Sequence, residues 1–459
     1  MGSIALAPTL PADLSGPCKL LAGPWSKVAL FLIAGYLCMS RSFAYLGLPW
    51  FSIYIGEVCL AAFLFVGPRT KQGPWLQVAW RARRLQSLKR VLLVLLCYGA
   101  LQALRGIFAG YPPFTAARDT AFNYYPLFLF LGIWVGLEDA DFLRQAVRVL
   151  AWCNGLYGLA YVLFLSRLPW TMPGTASAAS PVPLFSEPYG SAVALLGLLA
   201  FEPKVRRVWH LFALNALVML WAQVRAEWVA FTVGLLLLAW CTKRLRQVLL
   251  AGSVVLVLLA VMSIASIDLP SPQGRSGRIS VGHIVGRALA PINKSAASEL
   301  ASSSDARIFA GTASWRLLWW SAIWREVHGS VLRTALGLGY GYPIGELNPL
   351  IEPGTFIQTP HSDFFYALGF SGWLGVVLFG LLQAQIAGLL WRSYRITAQP
   401  FGPACWIALL AASFFEDFFE APFGAIPFYL LVGMALAPAL LVTRTASAIG
   451  RQIDAPATR

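Results

Sequence analysis

Charge is what this sequence has least of. Lys, Arg, Asp and Glu together make up 12% of its 459 residues, against about 25% in a soluble domain. So little charge cannot coat a water-facing surface of this size, which excludes one large soluble fold. Histidine is scarcer still, with only His210, His283, His328 and His361. With so few, and with no acidic cluster spaced like a metal site, no bound metal is expected. The cysteines (Cys18, Cys38, Cys59, Cys97, Cys153, Cys241 and Cys405) are scattered, with no CxxC and no paired spacing. They read as small buried side chains rather than disulfides or a metal cluster. There is no P-loop, no GxSxG and no strand–GxGxxG–helix context, so no cofactor is expected. No internal repeat stands out.

What fills the chain instead is apolar sequence. Hydrophobic residues make up 58% of it, and the mean hydropathy is +0.66. They come in continuous runs of roughly 15 to 22 residues, enough for a helix to cross about 30 Å of hydrocarbon. Unbroken runs of this kind mean helices rather than alternating barrel strands. The expectation is an all-α integral membrane protein. Twelve spans are read, near 27–45, 51–67, 91–108, 120–137, 149–166, 187–201, 208–224, 227–241, 248–266, 363–391, 402–418 and 424–442. The first is irregular around Ser40-Arg41, and the tenth is long enough to tilt. Asp13, Lys19 and four prolines precede the first run, so that run reads as a retained helix and not a cleaved leader.

The net charge of +15 suggests nucleic acid only until its distribution is read. Arg69, Lys71, Arg81, Arg83, Arg84, Lys89 and Arg90 fill one gap between apolar runs. Lys204, Arg206 and Arg207 fill another, and Lys243, Arg244 and Arg246 a third. With the N-terminus in the cytoplasm, all of these gaps fall on the cytoplasmic side, while the opposite loops carry few basic residues. Most of the charge therefore reads as topology and some of the rest as contact with an anionic lipid-linked substrate or with membrane lipids, with no nucleic-acid partner. Both termini are expected in the cytoplasm of a bacterial inner membrane protein.

The chain divides into four regions: membrane helices over 1–266, a large outer loop over 267–362, further membrane helices over 363–442, and a tail over 443–459. The loop is too long for a plain connector. Leu269 to Ser280 reads as flexible. From Ser314 to Val327, Leu317, Trp320, Ile323, Trp324 and Val327 recur at spacings of three and four, the pattern of an amphipathic helix on the membrane surface. At the loop's end, Thr359 reads as an N-cap, with Pro360 in the first turn and Asp363 soon after.

Chemistry is sought where polar residues meet this outer face. His361 sits at the mouth of a membrane helix. A helix N-terminus disfavours imidazolium, so the neutral form and a general-base role are expected; a capping or interfacial histidine is the plainer reading. Arg225 lies in a tight outer hairpin, where the positive-inside rule gives no reason for a cation. It suits phosphate recognition or a pair with Glu227. Arg316 lies among tryptophans on the loop helix and suits the same role or that of an interfacial arginine. Gly337, Gly339 and Gly341 read as a plain turn or as a close backbone approach to an anion. Glu416, Asp417 and Glu420 suit salt bridges to the arginines or an acceptor site. Arg105, Arg118 and Arg167 lie in or near outer loops and suit further phosphate contacts.

Together these residues resemble the O-antigen ligase and polymerase superfamily of bacterial envelope glycosyltransferases. The motifs are His361-Ser362-Asp363-Phe364-Phe365 running to Gly372-Trp373-Leu374-Gly375, Arg316-Leu317-Leu318-Trp319-Trp320 followed by Gly337-Leu338-Gly339-Tyr340-Gly341, and Arg225 ahead of a leucine-rich helix, where Val224 stands in place of the family's serine. The resemblance implies a GT-C-like fold with about twelve membrane helices and a large periplasmic loop holding short amphipathic helices. It implies an enzyme that moves glycan from a polyprenyl-pyrophosphate carrier to a lipid or glycan hydroxyl at the periplasmic face, inverting and metal-independent. His361 is then the catalytic base, Arg225 and Arg316 bind the pyrophosphate, and Gly337, Gly339, Gly341 and Asp363 support them. A polymerase of the same superfamily differs only in its acceptor. A lipid-linked glycan transporter and a structural scaffold are the readings from other classes.

Overall fold

The computed structural model describes residues 23–46, 53–70, 73–76, 79, 82–172, 182–202, 205–243, 269–270, 278–279, 281–289, 303–348 and 359–453, with a few residues between 248 and 265. Helices carry the architecture: α1 (Pro24–Ala44), α2 (Ile55–Val66), α3 (Gln86–Phe108), the interrupted α4 (Pro113–Glu138), α5 (Phe142–Leu163), α6 (Ser191–Phe201), α7 (Trp209–Ala222), α8 (Arg225–Thr242), α9 (Val281–Leu289), α10 (Ser303–Val327), α11 (Val331–Leu336), α12 (Asp363–Thr397), α13 (Phe401–Ser413) and α14 (Pro422–Ile453). Among the described residues, strand is limited to two antiparallel pairs, Arg69–Thr70 with Gly73–Pro74 and Leu269–Pro270 with Arg278–Ile279. The chain is an all-α membrane protein. Seven described helices are long and apolar enough to cross a membrane: α1, α3, α4, α5, α8, α12 and the Pro422–Leu440 part of α14. The shorter apolar helices α2, α6, α7 and α13 stand beside them.

Each expected span except the ninth overlaps one of these helices. The ninth, 248–266, is described only at scattered residues, and much of 267–302 lies outside the described residues. The last span, expected near 424–442, matches the apolar part Pro422–Leu440 of α14, and the helix itself continues to Ile453. The irregularity expected at Ser40-Arg41 is present: Ser40 takes φ 47° and ψ −122°, which breaks α1 one residue before Arg41. The long tenth span is broken as well, at Gly372, with φ 63° and ψ −168°.

Small residues and satisfied polar groups fix how the helices cross, as is usual where lipid removes the hydrophobic drive between helices. A Cβ on Gly132 of α4 would lie 2.4 Å from the Leu430 carbonyl oxygen, so α4 and α14 meet backbone to backbone. Asn154 of α5 donates to Ser191 Oγ at 3.0 Å and to Asn215 Oδ1 at 2.9 Å. Asn215 in turn donates to the carbonyls of Ala151 and Leu211. Each amide thus has partners inside an apolar bundle, where an unpaired one would be costly.

Helix direction decides which residues share an end of the bundle. The Ser191 N–H, at the start of α6, donates to Glu227 near the start of α8. Phe201, at the end of α6, packs on Phe401 at the start of α13. Gly234, midway along α8, faces Ala404 and Ala408. Hence α8 and α13 run antiparallel. The start of α8, with Arg225, and the end of α13, which leads into Glu416 and Asp417, lie at the same end.

Candidate active site

The site forms where α1, α10, the start of α12 and the 414–421 connection meet. The helix that follows His361 begins later than the sequence suggests. Ser362 is the N-cap and Asp363 the first helical residue, while His361 takes φ 50°. That left-handed turn keeps Thr359 from capping, and its hydroxyl instead donates to Asp417 Oδ2 at 3.2 Å. A non-glycine residue in this conformation is uncommon, and such residues gather at functional sites.

Asp363 joins α12 to the connection. Its Oδ2 accepts the N–H groups of Phe418 at 3.1 Å and Phe419 at 2.9 Å, and Phe419 packs edge-on against Phe428 of α14 with ring centres 4.7 Å apart. This fixes Glu416 and Asp417 opposite His361. His361 Nδ1 stands 3.5 Å from Glu416 Oε2 and 3.5 Å from Asp417 Oδ1. These are ion-pair distances, and neither contact is aligned as a hydrogen bond. Each carboxylate also holds an arginine. Arg316 Nη2 lies 3.2 Å from Glu416 Oε1, with Nη1 donating to the Phe415 carbonyl at 2.5 Å. Arg41 Nη2 lies 3.4 Å from Asp417 Oδ2. The order across the site is Arg316, Glu416, His361, Asp417, Arg41.

The charges follow from this geometry. Burial alone would strip the proton from His361, but Asp417 and Glu416 outweigh it and hold the imidazole up at about 9. The expected neutral resting form is therefore corrected, because two carboxylates stand closer to the ring than the helix terminus can offset. Burial would raise Glu416, and His361 and Arg316 hold it below its ordinary value instead. Asp417 is likewise held low, against burial, by His361 and Arg41. Both carboxylates face Nδ1, so when the ring is neutral that nitrogen keeps the proton and Nε2 is the one that can accept.

Two tryptophans of α10 seat the histidine. The Trp315 ring lies 5.8 Å from the imidazole, and Trp320 Nε1 donates to the Pro360 carbonyl at 2.8 Å. The buried stripe of α10 is Trp319, Ile323 and Val327, while Leu317 is 61% exposed. Of the apolar residues whose spacing predicts a membrane-surface helix, Ile323 and Val327 pack on the protein, and Leu317 and Trp324 are exposed.

The glycine turn lies inside the bundle. Gly337, Gly339 and Gly341 all take positive φ, at 71°, 93° and 84°. The N–H groups of Leu338, Gly339 and Gly341 donate to the Gly369 carbonyl, the Phe370 carbonyl and Asp119 Oδ2. Arg105 of α3 clamps the turn from the other side, through the Leu336 and Gly337 carbonyls, each at 2.7 Å. The turn thus wedges α3 against the break in α12, and these N–H groups are taken up by acceptors within the protein.

Arg225 is the first residue of α8, at the same end of the bundle and on a separate helix from the His361 cluster. Glu227, its suggested partner, turns inward and accepts the Ser191 N–H at 3.0 Å. Of the other arginines read from the sequence, Arg118 lies 6.0 Å from the Tyr54 ring centre, and exposed Arg167 donates to the Leu163 carbonyl. Arg41 is the residue the sequence reading passes over. For Glu416 and Asp417 the structure favours salt bridges to arginines. Among the described residues, His361, Glu416 and Asp417 form the one group with ligand atoms all within 4.8 Å of one another. Arg316 and Arg41 already supply those carboxylates with the positive charge an ion would bring.

The family described as O-antigen ligase matches residues 210–380. That span carries Arg225, Arg316, the 337–341 turn, His361, Asp363 and the Gly372 break. The match agrees with the ligase and polymerase superfamily that the motifs resemble. Arg41, Glu416 and Asp417 lie outside the match. No curated protein matches the chain.

Proposed function

We propose that this protein is an inverting glycosyltransferase that moves a glycan from a polyprenyl-pyrophosphate carrier to a hydroxyl acceptor, without a metal, at the periplasmic face of the bacterial inner membrane. The observation that carries the proposal is His361 held through Nδ1 between Glu416 and Asp417, with an arginine on the far side of each carboxylate. In this reading Nε2 takes the acceptor hydroxyl's proton as its oxygen attacks the anomeric carbon. The two carboxylates stabilise the imidazolium that forms. The glycosidic bond to phosphate breaks, and its electrons leave on the pyrophosphate. A pyrophosphate is a stable anion and needs no proton to depart, so cations are what the leaving group requires. Arg316 supplies one within the cluster, and Arg225 supplies another from the same end of the bundle. Gly337, Gly339, Gly341 and Asp363 act by position. The family match agrees with ligase-type and polymerase-type chemistry alike.

The test is complementation of a deletion strain with wild type, His361→Ala, Arg225→Ala and Arg316→Ala, with membrane levels measured for each. The surface glycan is expected to be lost in all three variants. Long glycan left on the carrier in the deletion strain identifies a ligase, and single unpolymerised repeats a polymerase. A His361→Ala protein that is present in the membrane and transfers glycan normally removes the mechanism.

A further inference from the structure

Arg41 is an arginine inside an apolar helix, and the fold goes to some length to present it. α1 is broken at Ser40, whose φ of 47° no ordinary helical residue adopts, and the break falls one residue before the guanidinium. Just past it, Ser42 is tied to the Ser186 hydroxyl at 2.6 Å and to the Pro183 carbonyl at 2.9 Å, which anchors the redirected end of the helix. The Arg41 side chain is 54% exposed, although its partner Asp417 is only 8% exposed. Its contact to Asp417 is long, at 3.4 Å through a single nitrogen, and the guanidinium carbon lies 5.9 Å from the centre of the Phe423 ring. A guanidinium offers five donors in a planar fork, so this one keeps donors to give.

Its place in the site is the mirror of Arg316. One arginine reaches His361 through Glu416 and the other through Asp417. A pyrophosphate carries two charged phosphoryl groups side by side. We propose that Arg41 is a donor-binding residue: with Arg316 it grips the pyrophosphate from the two sides of His361, and Asp417 holds it in place until the donor arrives. The inference rests on the donor chemistry proposed above.

The experiment uses the purified full-length protein and inorganic pyrophosphate as the probe, with binding followed by titration calorimetry at neutral pH. Wild type is compared with Arg41→Gln, Arg41→Lys, Asp417→Asn and the exposed control Arg333→Gln. Arg41→Gln is expected to weaken binding by about tenfold or more, the scale of a lost charge-assisted hydrogen bond. Arg41→Lys keeps the charge but not the fork and weakens binding less; it carries the comparison if Arg41→Gln does not fold. Asp417→Asn separates binding from architecture. It breaks the same ion pair but frees the guanidinium, so pyrophosphate binding is expected to hold or tighten. If Asp417→Asn loses binding as fully as Arg41→Gln, the pair is structural and the inference fails. If wild type and Arg41→Gln bind pyrophosphate equally, the inference fails while the donor reading stands. Wild type that binds no pyrophosphate overturns both.

Discussion

Gly337 and Gly372 meet backbone to backbone: a Cβ built on Gly372 would lie 2.4 Å from the Gly337 nitrogen, and one on Gly337 would lie 2.5 Å from the Gly372 nitrogen. Both residues also take positive φ, at 71° and 63°. Neither position tolerates a side chain, on grounds of space and of conformation together. Gly337→Ala and Gly372→Ala are each expected to reduce folded protein in the membrane severely, because the obstructing atoms are backbone and have nowhere to move. Gly339→Ala meets no atom closer than 3.8 Å and is strained by its φ alone, so it is expected to be the mildest of the three. Thermal stability of the purified variants checks the order, and a Gly372→Ala protein as stable as wild type refutes it.

Asp363 gives a second prediction. Its carboxylate takes two N–H groups from the segment that carries Glu416 and Asp417. Asp363→Ala leaves both donors buried and unpaired, at a cost of about 1–3 kcal/mol each. Asp363→Asn keeps one oxygen as an acceptor and is expected to lose less. In melting experiments the alanine variant should unfold well below the asparagine variant. Equal melting points for Ala, Asn and wild type mean that this residue does not tie the two segments together.

The third prediction concerns pH. His361 is held at about 9 by Asp417 and Glu416 against the opposing effect of burial, and a base works only when it has lost its proton. Below that value the neutral fraction falls tenfold for each pH unit. The transfer rate is therefore expected to rise with pH through the neutral range and to level off above about 9. A rate that instead falls as pH passes about 9 identifies the imidazolium as the working form and ends the base assignment. His361→Ala should remove the rising limb and lower the rate by roughly 10² to 10⁴-fold.

How much of the fold and the site is legible in the sequence depends on which force decides each feature. Spans are set by apolar length, so all but the partly undescribed 248–266 have counterparts in the fold, and the Ser40-Arg41 irregularity is visible as a polar pair in an apolar run. The face of α10 is not legible, because Leu317, Leu318, Trp319 and Trp320 are all apolar and only packing selects Trp319. The state of His361 is not legible either: it depends on Glu416 and Asp417, more than fifty positions away, which reach it through the Asp363 contact to Phe418 and Phe419. Arg41 is within reach of the sequence. Arg225 stands out as a cation on a side where, with the N-terminus expected in the cytoplasm, the positive-inside rule expects none, and the same expectation for the end of the first span singles out Arg41.

The last prediction separates the two carboxylates. Both raise the His361 value, and Asp417 does so more strongly than Glu416. Neutral, nearly isosteric replacements remove the charge and preserve the volume. Glu416→Gln and Asp417→Asn should therefore each move the rising limb of the pH–rate profile to lower pH, Asp417→Asn further. The sign comes from the charge: an imidazolium that loses a neighbouring anion gives up its proton more readily. Arg316 keeps its bond to the Phe415 carbonyl when Glu416 is replaced, so the Glu416→Gln site retains a guanidinium in place and its profile can be measured. NMR titration of the imidazole, with isotope-labelled histidine among only four in the chain, reads the same shift without any substrate. If the histidine titrates at the same pH in wild type and in both variants, the carboxylates do not set its charge, and the order Arg316, Glu416, His361, Asp417, Arg41 has no electrostatic meaning.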